Sequence, residues 1–234
     1  MDGVIERPFP TLVLTKQHRR EVCVHEAAHA VIHRLGGAFV YRVAVAPEGC
    51  SEWVTEGRKG ATLTDLWGVC SPSDPPTFAL LSMKWDESVG DYQCCRQGFA
   101  RILRQIEATA DRSGIAFELR RQVRAFVCGL LAGPVADSIL EGDDDPWLEP
   151  DWCDGPGEDR VLASAFARLL PFNREYDHLA QVTIETLRRP AIWHKVITLA
   201  DELERVGDIE DVDPFLPEWD RSWPPAPPRR RSPK

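Results

Sequence analysis

The chain lacks the sequence features of secreted and membrane-spanning proteins. No N-terminal stretch has the basic, apolar and small-residue order of a signal peptide, and no hydrophobic run approaches the length of a membrane span. The seven cysteines are odd in number and include no Cys-x-x-Cys pair. These absences exclude a disulfide framework and predict a cytoplasmic protein with free thiols.

An excess of basic residues is missing as well. The net charge of −9 argues against a general nucleic-acid binder, because affinity for phosphate requires clustered lysine and arginine side chains. The sequence shows no internal repeat. Its 234 residues, 43% of them hydrophobic, suffice for one large domain with a buried core.

The most informative segment is His25-Glu26-Ala27-Ala28-His29. On a helix, two histidines four positions apart project from one face about one turn apart, so their nitrogens can bind a single Zn²⁺. Glu26 can accept a proton from zinc-bound water. The alternative is a helix that carries two surface histidines and a glutamate. An apolar stripe favours a packed helix here, with Val24, Ala28, Val31 and Leu35 at helical spacing.

A catalytic zinc site needs a third protein ligand, which must come from elsewhere in the chain. His33 lies on the same helix face but eight residues from His25, roughly 12 Å along the axis, which is too far for one ion. We expect it to lie behind the ligands or on the surface. His178 and His194 lie in later amphipathic helices, where ordinary packed or solvated side chains are expected.

The acidic candidates for the third ligand share one predicted loop and its ends: Glu141, Asp143, Asp144, Asp145, Asp154, Glu158 and Asp159. Asp159 differs from the others because it follows Gly155-Pro156-Gly157 and directly precedes a helix, which can hold a carboxylate accurately. Glu141 ends a preceding helix and remains open as the ligand of a different, glutamate-type zincin.

The patterns predict a mainly helical α+β domain. Thr15 is the expected N-cap of the first helix, which ends at Gly36-Gly37. Apolar spacing predicts helices over 16–35, about 92–110, 118–131, 134–140, 161–170, 174–188 and 191–206, and strands over 38–46 and 60–64. Residues 65 to about 95 carry no clear period. The proline-rich segment 214–234, which contains the run Arg229-Arg230-Arg231, is expected to be a flexible tail.

Three segments resemble the FtsH-like M41 metallopeptidases. The segment from His25 to Val31 resembles the family's HEAGHAVV-type helix, 130–142 resembles its "LLGGRAAEELVFG" helix, and 155–159 resembles its "TGASND" segment. The resemblance implies a zincin-like metallopeptidase domain over 1–213, with a small sheet beside the motif helix. It also implies Zn²⁺ bound by His25, His29 and Asp159, with Glu26 as the base. By the same resemblance, Gly60, Ala61, Thr62 and Leu63 belong to an edge strand that binds the peptide substrate.

The chain departs from the family in several places. Family members usually carry an AAA ATPase module and membrane helices upstream, and neither is seen here. About fifty residues, 65–116, form an insertion. Pro134 replaces a residue that is usually arginine, and Glu158 replaces an asparagine. These departures keep a second hypothesis open, a non-catalytic interaction or adaptor protein that retains the fold, with or without the metal. The expected partners are a protein or peptide substrate, together with a separate ATPase or further copies of this chain.

Overall fold

The computed structural model describes residues 13–57, 60–64, 66–75, 83–89, 91–109, 113–144, 146, 148 and 158–227. Within them the fold is mainly helical with small sheets, as the α+β prediction requires. The helices are α1 (Lys16–Leu35), α2 (Arg96–Ala108), α3 (Ser113–Glu141), α4 (Asp159–Ala167), α5 (Glu175–Leu187) and α6 (Pro190–Val206). The strands are β1 (Val40–Val45), β2 (Thr55–Glu56), β3 (Thr62–Leu63), β4 (Gly68–Pro72), β5 (Met83–Asp86), β6 (Asp91–Cys94) and β7 (Asp208–Ile209).

Helix α1 lies at the centre of the fold and matches the sequence prediction. The Thr15 hydroxyl accepts a hydrogen bond from the backbone N–H of His18 at 3.2 Å, so one free donor of the first turn is satisfied. Gly37 ends the helix with φ at +93°, a conformation that other residues rarely adopt. The predicted stripe is buried, and α1 packs against α3, α6 and the sheet.

The main sheet is antiparallel with strand order β4-β1-β7. Val43 of β1 pairs with Cys70 on one side and with Ile209 on the other. Strand β1 was predicted, whereas β4 falls in the segment that was expected to be irregular. That expectation was wrong for β4 and also for the β5–β6 hairpin, where Met83 pairs with Cys94. Strand β4 was not predicted because glycine and proline, at its ends Gly68 and Pro72, are unusual in strands. Its pairing partner β1 also lies more than 20 residues away in the sequence.

Helix α3 is continuous through Pro134, so the predicted interruption at this residue was wrong. A proline inside a helix costs about 3 kcal/mol because it removes a hydrogen bond and crowds the preceding turn. The helix persists because both of its halves are packed: Val127, Leu131, Val135 and Ala136 are all buried, against α1, α4 and α5. Burial of several such side chains outweighs the loss of one backbone bond.

Among the described residues, α3 alone is long and apolar enough to cross a membrane by length and composition. The sequence expectation that the chain has no membrane span stays a prediction. Two thirds of the most apolar window, 67%, is buried within the fold, and the core helix of a globular protein passes the same test. The finding is weak evidence for a membrane span.

The segment that follows α6 packs on the body of the protein as far as residue 227, which corrects the expectation of a flexible tail starting at residue 214. Trp223 is only 3% exposed, and its indole N–H donates to the Thr186 hydroxyl at 3.1 Å. Its backbone carbonyl accepts a bond from buried Arg121 at 2.8 Å. Residues 228–234, including the three arginines, lie outside the described residues.

Candidate metal centre

The two motif histidines project from α1 towards α3, and the Nδ1 atom of each ring forms a hydrogen bond with α3. The Nδ1 atom of His25 lies 2.8 Å from the Asp137 carboxylate, and the Nδ1 atom of His29 lies 2.7 Å from the carbonyl oxygen of Gly129. An ionised carboxylate and a carbonyl only accept hydrogen bonds, so both Nδ1 atoms donate. In the neutral imidazoles both Nε2 atoms therefore carry lone pairs, and these two atoms lie 3.0 Å apart.

The Asp159 carboxylate completes this cluster. Its Oδ2 atom lies 3.0 Å from Nε2 of His29 and 3.4 Å from Nε2 of His25. Metal–ligand bonds of about 2.0–2.2 Å place tetrahedral zinc ligands roughly 3.3–3.5 Å apart, close to these separations. Three electron-pair donors that face one point repel one another unless a proton or a cation lies between them. The group His25, His29 and Asp159 could therefore hold a metal ion.

The three candidate ligands are partly shielded from solvent and electrostatically coupled. The side chain of His29 is 8% exposed, against 24% for His25 and 28% for Asp159. Burial raises the pKa of Asp159, but the neighbouring His29 and His25 outweigh it and hold the pKa below its ordinary value. Burial lowers the pKa of His25, and the hydrogen bonds to Asp137 and Asp159 more than reverse this effect. The cluster thus already favours a cation beside the carboxylate.

Asp159 occupies the position that the sequence predicted for it, the first residue of α4. The preceding Glu158 is the N-cap and forms no side-chain capping bond. The Glu158 side chain therefore contributes no capping bond that would position Asp159. The positive end of the helix dipole favours a carboxylate at such a place.

Two glycines of α3 allow the two helices to approach closely at the site. A methyl group on Gly133 would collide with the Nε2 atoms of both His25 and His29, and one on Gly129 would collide with the His33 ring. These glycines are four residues apart, so they lie on the same face of α3. The histidines of α1 occupy the groove that the missing side chains leave.

Glu26 faces a cleft on the N-terminal side of the histidines. It is 8% exposed, and a methyl group on Gly68 would lie 2.5 Å from its Oε1 atom, so strand β4 runs directly past its carboxylate. Burial raises the pKa of Glu26, an effect that the nearby His25 and His29 only partly oppose. A carboxylate whose pKa is raised accepts protons more readily near neutral pH.

The cleft has a volume of about 690 Å³. Gly68 of β4 lines it, whereas none of its described lining residues belongs to 60–63. Thr62 and Leu63 instead pair with Thr55 and Glu56 in the small β2–β3 hairpin. The substrate-binding role of Gly60, Ala61, Thr62 and Leu63 stays a prediction, and the strand that contacts Glu26 is β4.

The remaining sequence candidates lie apart from the ligand group. His33 is buried against Phe126 at 5.3 Å between ring centroids, and burial lowers its pKa to about 3. His178 bonds to the carbonyl of Pro225, and His194 is exposed. Glu141 is exposed at the edge of the cleft and does not join the three ligands. Asp143 and Asp144 are exposed near α3, and Asp145 and Asp154 lie outside the described residues.

Sequence reasoning missed Asp137, whose carboxylate lies 2.8 Å from Nδ1 of His25. It lies in the segment 130–142 that resembles a family helix, eight residues after Gly129 and four after Gly133, on the face of α3 that meets α1. The spacing of Asp137 from the two glycines was the only sequence feature that could have indicated its position. This spacing becomes informative only when the orientation of α3 against α1 is known.

A scan against protein-family models matches no family, and a search of curated proteins finds no relative of this chain. The resemblance to the M41 peptidases therefore depends on the three sequence segments alone.

Proposed function

We propose that this protein is a zincin-like metallopeptidase of the M41 type, which binds Zn²⁺ through His25, His29 and Asp159 and hydrolyses peptide bonds. The observation that carries the proposal is the convergence of three electron-pair donors within 3.4 Å, both histidines being held in the required tautomer. Two histidines and one carboxylate are typical ligands of catalytic zinc sites, which keep a fourth position for water.

Bound zinc would lower the pKa of a water molecule and polarise the carbonyl group under attack. The residues of the chain itself orient the ligands and transfer the proton. Asp137 and the Gly129 carbonyl keep both Nδ1 atoms protonated and hold the rings in place. Glu26, buried and beside the ligands, accepts the proton from water and returns it to the leaving amine. No covalent bond between the chain and the substrate is required.

Strand β4 is the segment best placed to bind the substrate backbone. It is an edge of the main sheet within the described residues, and it passes Glu26 at Gly68. An extended peptide can add to such an edge through main-chain hydrogen bonds, and pockets then select its side chains. We therefore propose Gly68–Pro72 as the peptide-binding edge next to Glu26, and the role predicted for residues 60–63 remains untested.

The test combines Glu26→Gln with metal analysis. The variant keeps the shape of the side chain but cannot accept a proton, so we expect it to retain zinc and to hydrolyse peptides about 10²–10⁴-fold more slowly. Glu185→Gln, an exposed position on α5, serves as the control. Equal hydrolysis by Glu26→Gln and the parent would remove Glu26 from the mechanism. Zinc bound by a parent that hydrolyses no peptide would favour the interaction protein instead.

Other parts of the proposal concern the cellular context. We propose that the protein acts in a reducing cytoplasm, where its cysteines remain free thiols. We propose that the substrate is an exposed or disordered peptide segment. A folded substrate would require a separate ATPase or self-association of the chain.

A further inference from the structure

We propose that the cleft beside Glu26 binds a side chain with a long apolar stem and a cationic end, that is, lysine or arginine of a peptide substrate. This inference rests on the proposed peptidase function and adds a substrate class to it. It follows from three properties of the cleft: apolar walls, an acidic rim and the end of a helix.

The walls of the cleft suit an apolar stem. They are formed by side chains from the segment before α1, from α1 itself, from the segment before β4 and from the end of α3: Val13, Leu14, Val22, Leu66, Trp67 and Leu140. Val13 is 48% exposed and Leu140 is 42% exposed, so large apolar side chains border open space here. The methylene groups of lysine or arginine can cover such surfaces while the charge stays at the edge.

The rim of the cleft is acidic. Glu21, Glu26, Asp137 and Glu141 all line it, whereas its described lining residues include no lysine and no arginine. The Asp137 carboxylate already forms a hydrogen bond with His25, and Glu26 is buried against β4, so neither is open to an incoming cation in the way that an exposed carboxylate is. Glu21 and Glu141 remain at the outer edge, Glu21 with only a glutamine and a histidine of its own helix nearby. His18, which also lines the cleft, lies 3.8 Å from the Glu21 carboxylate, but no lysine or arginine of the cleft competes with an incoming cation for Glu21 and Glu141.

The C-terminus of α3 adds further negative potential. Leu140 and Glu141 are in the last turn of this helix, and that turn contains no basic residue. The carbonyl groups at a helix C-terminus carry a partial negative charge, which favours a cation. A glutamate or aspartate of the substrate would be repelled by the same groups. The charge of the cleft thus selects among side chains that its apolar walls would accept equally.

The experiment measures binding to the zinc-loaded Glu26→Gln protein, so that hydrolysis does not interfere. Fluorescein-labelled alanine-based peptides carry lysine, arginine, norleucine or glutamate at one position, and fluorescence anisotropy gives their dissociation constants. Norleucine matches the lysine stem without the charge. We expect lysine and arginine peptides to bind about tenfold more tightly than norleucine. The preference should shrink as NaCl rises from about 50 mM to 500 mM.

The double variant Glu21→Gln/Glu141→Gln, made in the same background, should reduce the lysine-to-norleucine ratio to about one. The control is Glu185→Gln/Glu210→Gln, which neutralises two exposed glutamates outside the cleft and should retain the full ratio. Equal binding of norleucine and lysine, a ratio unaffected by the double variant, or no binding of any peptide would overturn the inference. Failure of the peptidase function is distinguishable, since the parent would then bind lysine peptides selectively and cleave none.

Discussion

At the scale of single residues, the orientation of the histidines depends on groups that the motif does not contain. Asp137 fixes the tautomer of His25 from a different helix, 112 residues away in the chain. The motif predicts which side chains bind a metal because the helical period places them on one face. It does not predict what lies behind their rings, because that depends on how α3 packs.

Replacement of Asp137 by asparagine tests this supporting role. The amide oxygen can still accept a hydrogen bond from His25. It lacks the negative charge of the carboxylate, which strengthens this bond and makes the His25 ring a more basic metal ligand. We expect zinc affinity to fall about 10–100-fold, as measured by competition with a chromophoric chelator. Glu141→Gln, at the end of the same helix, should bind zinc as the parent does. Loss of zinc in Glu141→Gln but not in Asp137→Asn would favour the glutamate-type site.

Gly133→Ala tests the close approach of the two helices. The added methyl group would occupy the space where the Nε2 atoms of His25 and His29 meet, so we expect loss of stoichiometric zinc. Gly114→Ala, in the same helix but with nothing within 4 Å of the added methyl, should leave zinc binding unchanged. Circular dichroism of both variants without zinc shows whether α3 remains helical. Parental zinc affinity in Gly133→Ala would contradict the geometry of the site.

At the scale of elements, helices were predicted more completely than strands. Helices α1, α4, α5 and α6 each bury a face at 3.6-residue spacing, and this period is visible in a local stretch of sequence. Strand β4 depends on a partner more than 20 residues away, and its five residues are too few to show alternation. The local sequence pattern likewise could not show that α3 stays helical across Pro134, because this depends on tertiary packing.

A buried ion pair joins α3 to the start of α5, and no sequence pattern indicated it. Arg124 and Glu175 form two hydrogen bonds, of 3.1 and 2.8 Å, with side chains 4% and 1% exposed. Glu175→Gln would leave the Arg124 guanidinium buried without a counter-charge. We expect the free energy of unfolding, measured in urea, to fall by about 3–5 kcal/mol.

The control for this prediction is Asp177→Asn, which removes the exposed partner of Arg174 and should cost less than about 1 kcal/mol. The double replacement Arg124→Met/Glu175→Leu should recover most of the stability lost in Glu175→Gln, because no buried charge remains. Equal costs for Glu175→Gln and Asp177→Asn would show that the ion pair does not hold α5 on α3.

At the scale of the whole molecule, the segment after α6 belongs to the folded body and helps to fix the helices of the site. Trp223 contacts α5 through Thr186, and Arg121 of α3 bonds both to its carbonyl and to that of Gly36 at the end of α1. Composition alone suggested a free tail, because proline-rich segments are usually extended. Trp219 and Trp223 are the largest apolar residues of this segment, but the groups that they contact lie far away in the sequence.

Trp223→Ala tests whether this segment stabilises the fold. Truncation of a buried tryptophan removes a large apolar surface and leaves a cavity, so we expect a loss of about 3–5 kcal/mol in the free energy of unfolding. Trp219→Ala is the matched control, since this side chain is 44% exposed and should cost clearly less. Similar small costs at both positions would mean that the segment contributes little to stability.

The proposed binding of one zinc ion by His25, His29 and Asp159 can be tested first by metal analysis. The zinc content per chain is determined for protein purified without chelators, for the parent and for Asp159→Ala together. We expect about one zinc per chain in the parent, and lost or weaker zinc binding in the variant. A parent without zinc even after refolding with the metal, or equal zinc in both proteins, would contradict the proposal.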